Sequence, residues 1–452
     1  MSGENEPLIQ NDDSGQRNYA HNDSDYEASQ QRSHGVRIRS IVWAVLGVVF
    51  VIGVVLALVD PGRLRDVGWS GKLPRDPDLA AQRLLDYAPV IDGHIDLPEV
   101  VRFGWRNNVS DVPLDGKMPE HVDISRLREG KVGGFFWSVF VSCADSSSEG
   151  KDFLNATWRV RDTLEQIDVA KGLIEKYPDT FSYAFGSQDI KDSIAQGKIA
   201  SLLGVEGGHQ LGNSLSVLRQ YYALGVRYVT LTHMCHNSFA DSAGFLTPIA
   251  PLHYGLSPFG FKLVEEMNRI GMLVDLSHTS DMTATQAIMH SKAPVIWSHS
   301  SARAVHNVAR NVPDEVLSLI GTGEGQKDGV VMVNFAPYFV APEGEANVNT
   351  VANHIEHIAK VAGKEHVGIG SDYDGIGDTP EGLEDVSKYP ALIAEMYRRG
   401  WDKFELAGLT GGNLLRVFAG AEKVARELQA AGTPANYDIY DKREDLPLRR
   451  EL

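Results

Sequence analysis

The chain has 452 residues, 43% of them apolar and 23% charged, the balance of a globular protein and enough for one large domain or two ordinary ones. A net charge of −17 argues against nucleic acid as a partner and against broad docking on an anionic membrane surface. Two cysteines, Cys143 and Cys235, exclude a multi-disulfide scaffold but allow a single bridge.

Residues 1–40 are polar and poor in aliphatics, cannot bury enough surface to order themselves, and read as a disordered tail. Within them Glu4-Asn5-Glu6-Pro7-Leu8-Ile9 has the acidic-dileucine pattern read by endosomal or vacuolar sorting adaptors, a loose pattern that ordinary tails also match. Ile41 to Val59 is an uncharged run of 19 residues, the length of a helix that spans the hydrocarbon core. The alternative is a cleaved signal peptide. The run is long for such a segment, its polar leader is long, and no small-residue cleavage site follows cleanly, so the expectation is an uncleaved signal anchor. Arg32, Arg37 and Arg39 lie on one side and Arg63, Arg65 and Lys72 on the other, so positive charge does not choose an orientation. Glycosylation sequons at Asn108 and Asn155 fall in the large C-terminal part, but Asn22 begins another in the tail, so sequons do not choose either.

Residues 60–80 read as a linker, and residues 81–430 as one domain in which apolar runs alternate with amphipathic stretches. The expected strands are 89–92, 134–141, 199–205, 226–232, 272–277, 294–298, 329–334 and 366–371. A further apolar run, Phe181 to Phe185, blurs the count. Between strands, Leu263, Val264, Met267 and Ile270 follow helical spacing and Gly271 supplies a stop. Strands alternating with helices imply parallel βαβ units, and eight of them over this length fit a (β/α)8 TIM barrel with insertions. From residue 431 the chain reads as a polar tail. His354 and His357 read as solvent-facing helical neighbours.

In such barrels chemistry sits at the C-terminal ends of the strands. Most of the apolar runs stop on a residue able to bind metal or move protons: His94 and Asp96, Glu206, His233, His278, His299 and Asp372. Six of eight strands deliver such a group to one rim, which reads as a metal-dependent hydrolase with ligands for two ions. Glu206, between flexible glycines, is the natural bridge. His94 and Asp96 would complete one zinc site, His278 and His299 the other. Two zincs can share a water and lower its pKa, giving hydroxide near neutral pH. Asp372 is placed to carry a proton to the leaving amine, with Asp374 as the competitor, and His233 to polarise a carbonyl.

The motifs DGHIDLP, GVEGGH, LTH, VDLSH, SHSSAR, ARNVPDE and GSDYDG, with Glu381 to Pro390 and Asn413 to Phe418, resemble those of the membrane (renal-type) dipeptidase family of zinc peptidases. The resemblance runs from about residue 85 to 425. It implies a (β/α)8 barrel of amidohydrolase type with a binuclear zinc site (two Zn2+ per subunit) that hydrolyses dipeptides. It also implies His94, Asp96 and Glu206 on one zinc and Glu206, His278 and His299 on the other. His233 matches the substrate-carbonyl histidine and Asp372 the proton carrier. Arg310 matches the arginine that holds the substrate carboxylate, a role that spacing alone does not suggest, although a guanidinium fork suits it.

The resemblance further implies a disulfide between Cys143 and Cys235. A bridge needs an oxidising compartment, which would put the barrel outside the cell or in the secretory or vacuolar lumen and the tail in the cytosol, a single-pass type II orientation. Family analogy also suggests a non-covalent homodimer. An amidohydrolase acting on a lactam or an N-acyl amino acid is the alternative enzyme. A receptor that had kept the barrel and lost catalysis would lack a metal ligand, and all five expected ligands are present.

Overall fold

Parallel strands covered on both faces need apolar residues at nearly every position, because helices pack outside them and side chains fill the interior. The runs between residues 89 and 371 supply this. The computed structural model describes Trp43, residues 71–143 and residues 157–443. Its strands are β1 (Val90–Ile95), β2 (Val132–Val139), β3 (Phe181–Tyr183), β4 (Ile199–Val205), β5 (Val226–Thr230), β6 (Leu273–Asp275), β7 (Val295–Trp297), β8 (Gly329–Val333) and β9 (Val367–Ile369). Eight of them pair in the order β1-β2-β4-β5-β6-β7-β8-β9, all parallel. The last meets the first just past its end: Asp96 N donates to Tyr373 O at 2.9 Å and Asp372 N donates to His94 O at 3.1 Å. The result is a nearly closed (β/α)8 barrel, in the unit Leu73–Leu452 of a chain that divides at Lys72.

The run at Phe181 to Phe185 contributes β3, which lies off the barrel path. It pairs with Ile199–Ser201 of β4, while β5 pairs with β4 from Leu203 onward. β4 forms at its expected bounds. Other strands stop short: β6 ends at Asp275 rather than Ser277, and β9 at Ile369 rather than Ser371. Backbone conformation explains this, since His278 (φ 63°) and Asp372 (φ 68°) adopt a left-handed geometry that no ladder accommodates. The helix Pro258–Ile270 follows its sequence signals. Ser257 Oγ accepts from Gly260 N, Gly271 ends the helix at φ 85°, and Leu263, Val264, Met267 and Ile270 are buried.

Three expectations need correction. The boundary at residue 80 cuts through a helix, Pro77–Leu85, that Asp76 caps and whose Ala80, Ala81, Leu84 and Leu85 are buried. The polar stretch after Ala430 is in part docked: Arg219 Nη1 donates to Asn436 O at 2.7 Å, Asn436 N donates to Glu266 Oε2 at 3.1 Å, and Tyr440 is buried against Phe259. His354 and His357 do not face solvent. His354 shares the inner face of the helix Val348–Ala362 with Val351, Ile355 and Ile358, and His357, half-buried, contacts Asp314 Oδ1 at 2.7 Å.

The bonds of His354 fix its charge. Its Nδ1 accepts from Ala302 N at 3.0 Å and its Nε2 donates to Val340 O at 3.0 Å, so no lone pair is left for a second proton. Burial pushes its pKa down from 6.5 to about 4. An unfolded chain protonates this group below pH 6.5, whereas the folded chain does not. The stability it contributes is therefore complete above pH 6.5 and is lost progressively as pH falls to about 4. The loss amounts to about 3 kcal/mol. NMR titration of the His354 imidazole is expected to show a neutral ring throughout that window, and a midpoint near 6.5 would overturn this.

Among the described residues no helix is long and apolar enough to cross a membrane. The expected tail 1–40, the expected span 41–59 apart from Trp43, residues 60–70, the sequon at Asn155 and residues 444–452 lie outside them. The sequon asparagine Asn108 is exposed.

Candidate metal centre

β1 supplies His94 from within the strand and Asp96 from the entry to the helix Leu97–Trp105. Residues two apart on extended chain face the same way, and His94 Nε2 lies 3.1 Å from Asp96 Oδ2. Glu206 follows the last residue of β4. The next residue, Gly207, has φ 120°, a conformation that side chains disfavour, and a Cβ there would come within 2.4 Å of the His209 ring.

Glu206 Oε1 is the point of convergence. It lies 3.0 Å from His278 Nε2, 3.2 Å from His299 Nε2, 3.7 Å from His94 Nε2 and 3.8 Å from His233 Nε2. The Nε2 atoms of His278 and His299 are 3.0 Å apart. The four imidazoles come from β1 and from the loops after β5, β6 and β7, and all are buried. Asp372, after β9, puts Oδ1 4.0 Å from His94 Nε2, and its Oδ2 accepts from Asn334 Nδ2 at 2.8 Å. Asp374 is engaged elsewhere: its Oδ1 accepts from His121 N at 2.8 Å.

This donor set fits a metal. His94 Nε2 and Asp96 Oδ1 are buried with no hydrogen-bond partner, a state that costs about 1–3 kcal/mol per group unless something else satisfies it. His94, Asp96 and Glu206 offer ligand atoms within 4.8 Å of one another, as do Glu206, His233 and His278, and also His94, His299 and Asp372. Imidazole nitrogen with carboxylate oxygen suits a divalent transition ion. Burial pushes His233, His278 and His299 well below the ordinary imidazole pKa, so these rings are neutral and keep a lone pair. Burial also lowers His94, but the charges of Asp96 and Glu206 outweigh it and lift that ring to about 10. Burial raises Glu206 well above the carboxylate range and Asp372 to about 7, with His94 opposing both.

Arg310 lies beside this cluster. Its Nη1 donates to Ser300 Oγ at 2.6 Å and its Nη2 donates to His299 O at 2.8 Å, while its buried Nε has no partner. Cys143 and Cys235 are joined in a disulfide, and Cys143 Sγ lies 3.9 Å from His233 Nδ1. The bridge therefore ties the end of β2 to the loop that carries His233.

Sequence reasoning passes over four residues here. Asn334 ends the run of β8 and was open to the strand-end rule, but it neither binds metal nor moves a proton. Glu99, in the first turn after Asp96, is raised to about 8 by burial and by the charges of Asp96 and Asp372. Tyr228 and Ser298 contact the Nδ1 atoms of His94 and His299, each at 2.8 Å. An aromatic inside a strand and a serine beside a histidine carry no distinguishing signal.

Residues 79–432 match the family described as membrane dipeptidase (peptidase family M19). An uncharacterized dipeptidase of Schizosaccharomyces pombe is 46% identical over 366 residues, 79% of this chain and 87% of that protein. Among solved structures, the probable dipeptidase PvdM of Pseudomonas aeruginosa matches with a TM-score of 0.70 at 24% identity, covering 78% of this chain and 100% of that one. A metallo peptidase of Rhodobacter sphaeroides, liganded with a phosphinate mimic of the dipeptide L-Ala-D-Ala, matches with a TM-score of 0.66 at 26% identity, covering 74% of this chain and 99% of that one.

Proposed function

Because the chain belongs to the membrane dipeptidase family and is a dipeptidase, we propose that it cleaves the peptide bond of dipeptides at two zinc ions, one held by His94, Asp96 and Glu206, the other by Glu206, His278 and His299. The observation that carries this is the convergence of four imidazole Nε2 atoms within 3.8 Å of one Glu206 oxygen. When bound, the cations supply Lewis acidity that makes hydroxide available near neutral pH.

The chain's own residues do the rest. Arg310 holds the substrate's C-terminal carboxylate, with its unpartnered Nε as the first free donor. His233, neutral through burial, donates from Nε2 to the scissile carbonyl oxygen as negative charge develops there. Asp372 takes a proton from the attacking water and returns it to the leaving amine. Asn334 keeps its other oxygen oriented. The Rhodobacter sphaeroides relative holds a mimic of L-Ala-D-Ala, which supports a dipeptide as occupant.

The reading extends to topology. A disulfide is supported by the paired Cys143 and Cys235, and it calls for an oxidising compartment. We therefore place the barrel on the extracellular or lumenal side of a membrane, tethered through residues 41–59 in a type II orientation, with Asn108 open to glycosylation.

Dialysis against a chelator is expected to abolish dipeptide hydrolysis, and zinc at two equivalents to restore it. Undiminished turnover by metal-free protein would overturn the proposal.

A further inference from the structure

Asp275, the last residue of β6, is fully buried, and among the described residues it makes no ion pair. Four donors saturate it. Oδ1 accepts from Ser277 N at 3.1 Å and Ser298 N at 2.8 Å; Oδ2 accepts from Thr230 Oγ1 at 2.6 Å and Ser298 Oγ at 2.5 Å. A buried carboxylate without a cation is costly, so its countercharge lies further along the hydrogen-bonded chain.

That chain ends at the metal centre. Ser298 Oγ spends its proton on Asp275, so towards His299 Nδ1, 2.8 Å away, it can only accept. His299 then carries its proton on Nδ1 and presents the Nε2 lone pair to Glu206 and the cations. On the other side, His94 Nδ1 meets Tyr228 Oη at 2.8 Å. Tyr228 reaches this place because the facing residue of β4 is Gly204, where a Cβ would lie 2.0 Å from the phenol ring. His278 has no such support: its buried Nδ1 is without a partner.

We propose that Asp275 is a positioning residue for the metal centre: acting through Ser298, it fixes the tautomer and orientation of the His299 imidazole. The inference rests on the two-cation reading above.

The test is zinc affinity, measured by chelator competition, beside thermal unfolding of the metal-free proteins. In Asp275→Asn the amide nitrogen at the Oδ2 position donates to Ser298 Oγ. The serine proton must then point to His299 Nδ1, and the ring shifts to the tautomer with Nε2–H, which cannot bind a cation. Asp275→Asn is expected to weaken one equivalent of zinc, the one that His299 holds, by about 10–100-fold while the metal-free melting temperature stays within a few degrees of wild type. Thr230→Val removes a bond to the same Asp275 oxygen without touching the chain to the imidazoles, and is expected to bind zinc as wild type does. Should Asp275→Asn fail to fold, Ser298→Ala takes its place, with the same expected loss at that equivalent. Two tight equivalents in Asp275→Asn or Ser298→Ala would overturn the proposal, and so would a loss in Thr230→Val equal to theirs, since that would mark Asp275 as a strand tie. A wild-type protein that binds fewer than two equivalents would instead defeat the two-cation reading itself, and this proposal with it.

Discussion

Glu206→Gln is expected to lower kcat/KM for dipeptides by roughly 10³–10⁵-fold, the rate equivalent of losing several kcal/mol of Lewis-acid stabilisation. Glutamine keeps the shape of the side chain and loses its charge. In the centre of four imidazoles this removes the anion proposed to serve both cations, since Glu206 Oε1 lies within 3.8 Å of every ring. The metal-free form should hardly notice, because burial already disfavours the charge at this position. The contrast is the check. Zinc at about 1,000 times its Kd should stabilise wild type by about 4 kcal/mol and the variant by little. A variant that retained wild-type turnover, or that gained the full zinc-dependent rise in Tm, would deny Glu206 its bridging place.

Arg310→Ala is expected to raise KM for free dipeptides by roughly 10²–10⁴-fold, the loss of two charge-assisted hydrogen bonds at about 1.5–3 kcal/mol each. Dipeptides amidated at the C-terminus lack the carboxylate and should lose less than about fivefold. The guanidinium is held by Ser300 Oγ and His299 O, and burial lowers its pKa to about 10, so it stays charged at neutral pH and has a donor to spare. Arg310→Lys should recover only part of the loss, because an ammonium cannot make the planar fork. Equal effects on free and amidated substrates would remove Arg310 from carboxylate recognition.

The barrel and its rim were legible because both depend on side-chain type at regular places. β4 is an unbroken apolar run that stops at Glu206, and its bounds can be read directly. The convergence of His94, Glu206, His278 and His299 follows from the rule that loops after parallel strands share one end. The extent of β6 and β9 was less legible, since nothing in the letters of His278 or Asp372 announces a left-handed backbone. His354 is a different failure. It stands three residues after Val351 and four before Ile358, both buried, so the helical period places it inward, and here position outweighs polarity. The support for the imidazoles could not be read at all. Tyr228, Asp275 and Ser298 lie on three strands or their ends, and only the folded register brings their oxygens together.

The seam of the barrel has a consequence for how the protein is made. Ser371 N bonds to Asp92, 279 positions earlier in the chain, and the backbones of His94 and Asp96 join those of Asp372 and Tyr373. The first and last strands to leave the ribosome are stitched together by the very residues that surround the cluster. A nascent chain that ends before this seam lacks both the closed barrel and one flank of the centre. Closure of the barrel and completion of the centre therefore both wait on the last strand, and a polypeptide truncated before it is expected to be inert rather than partly active.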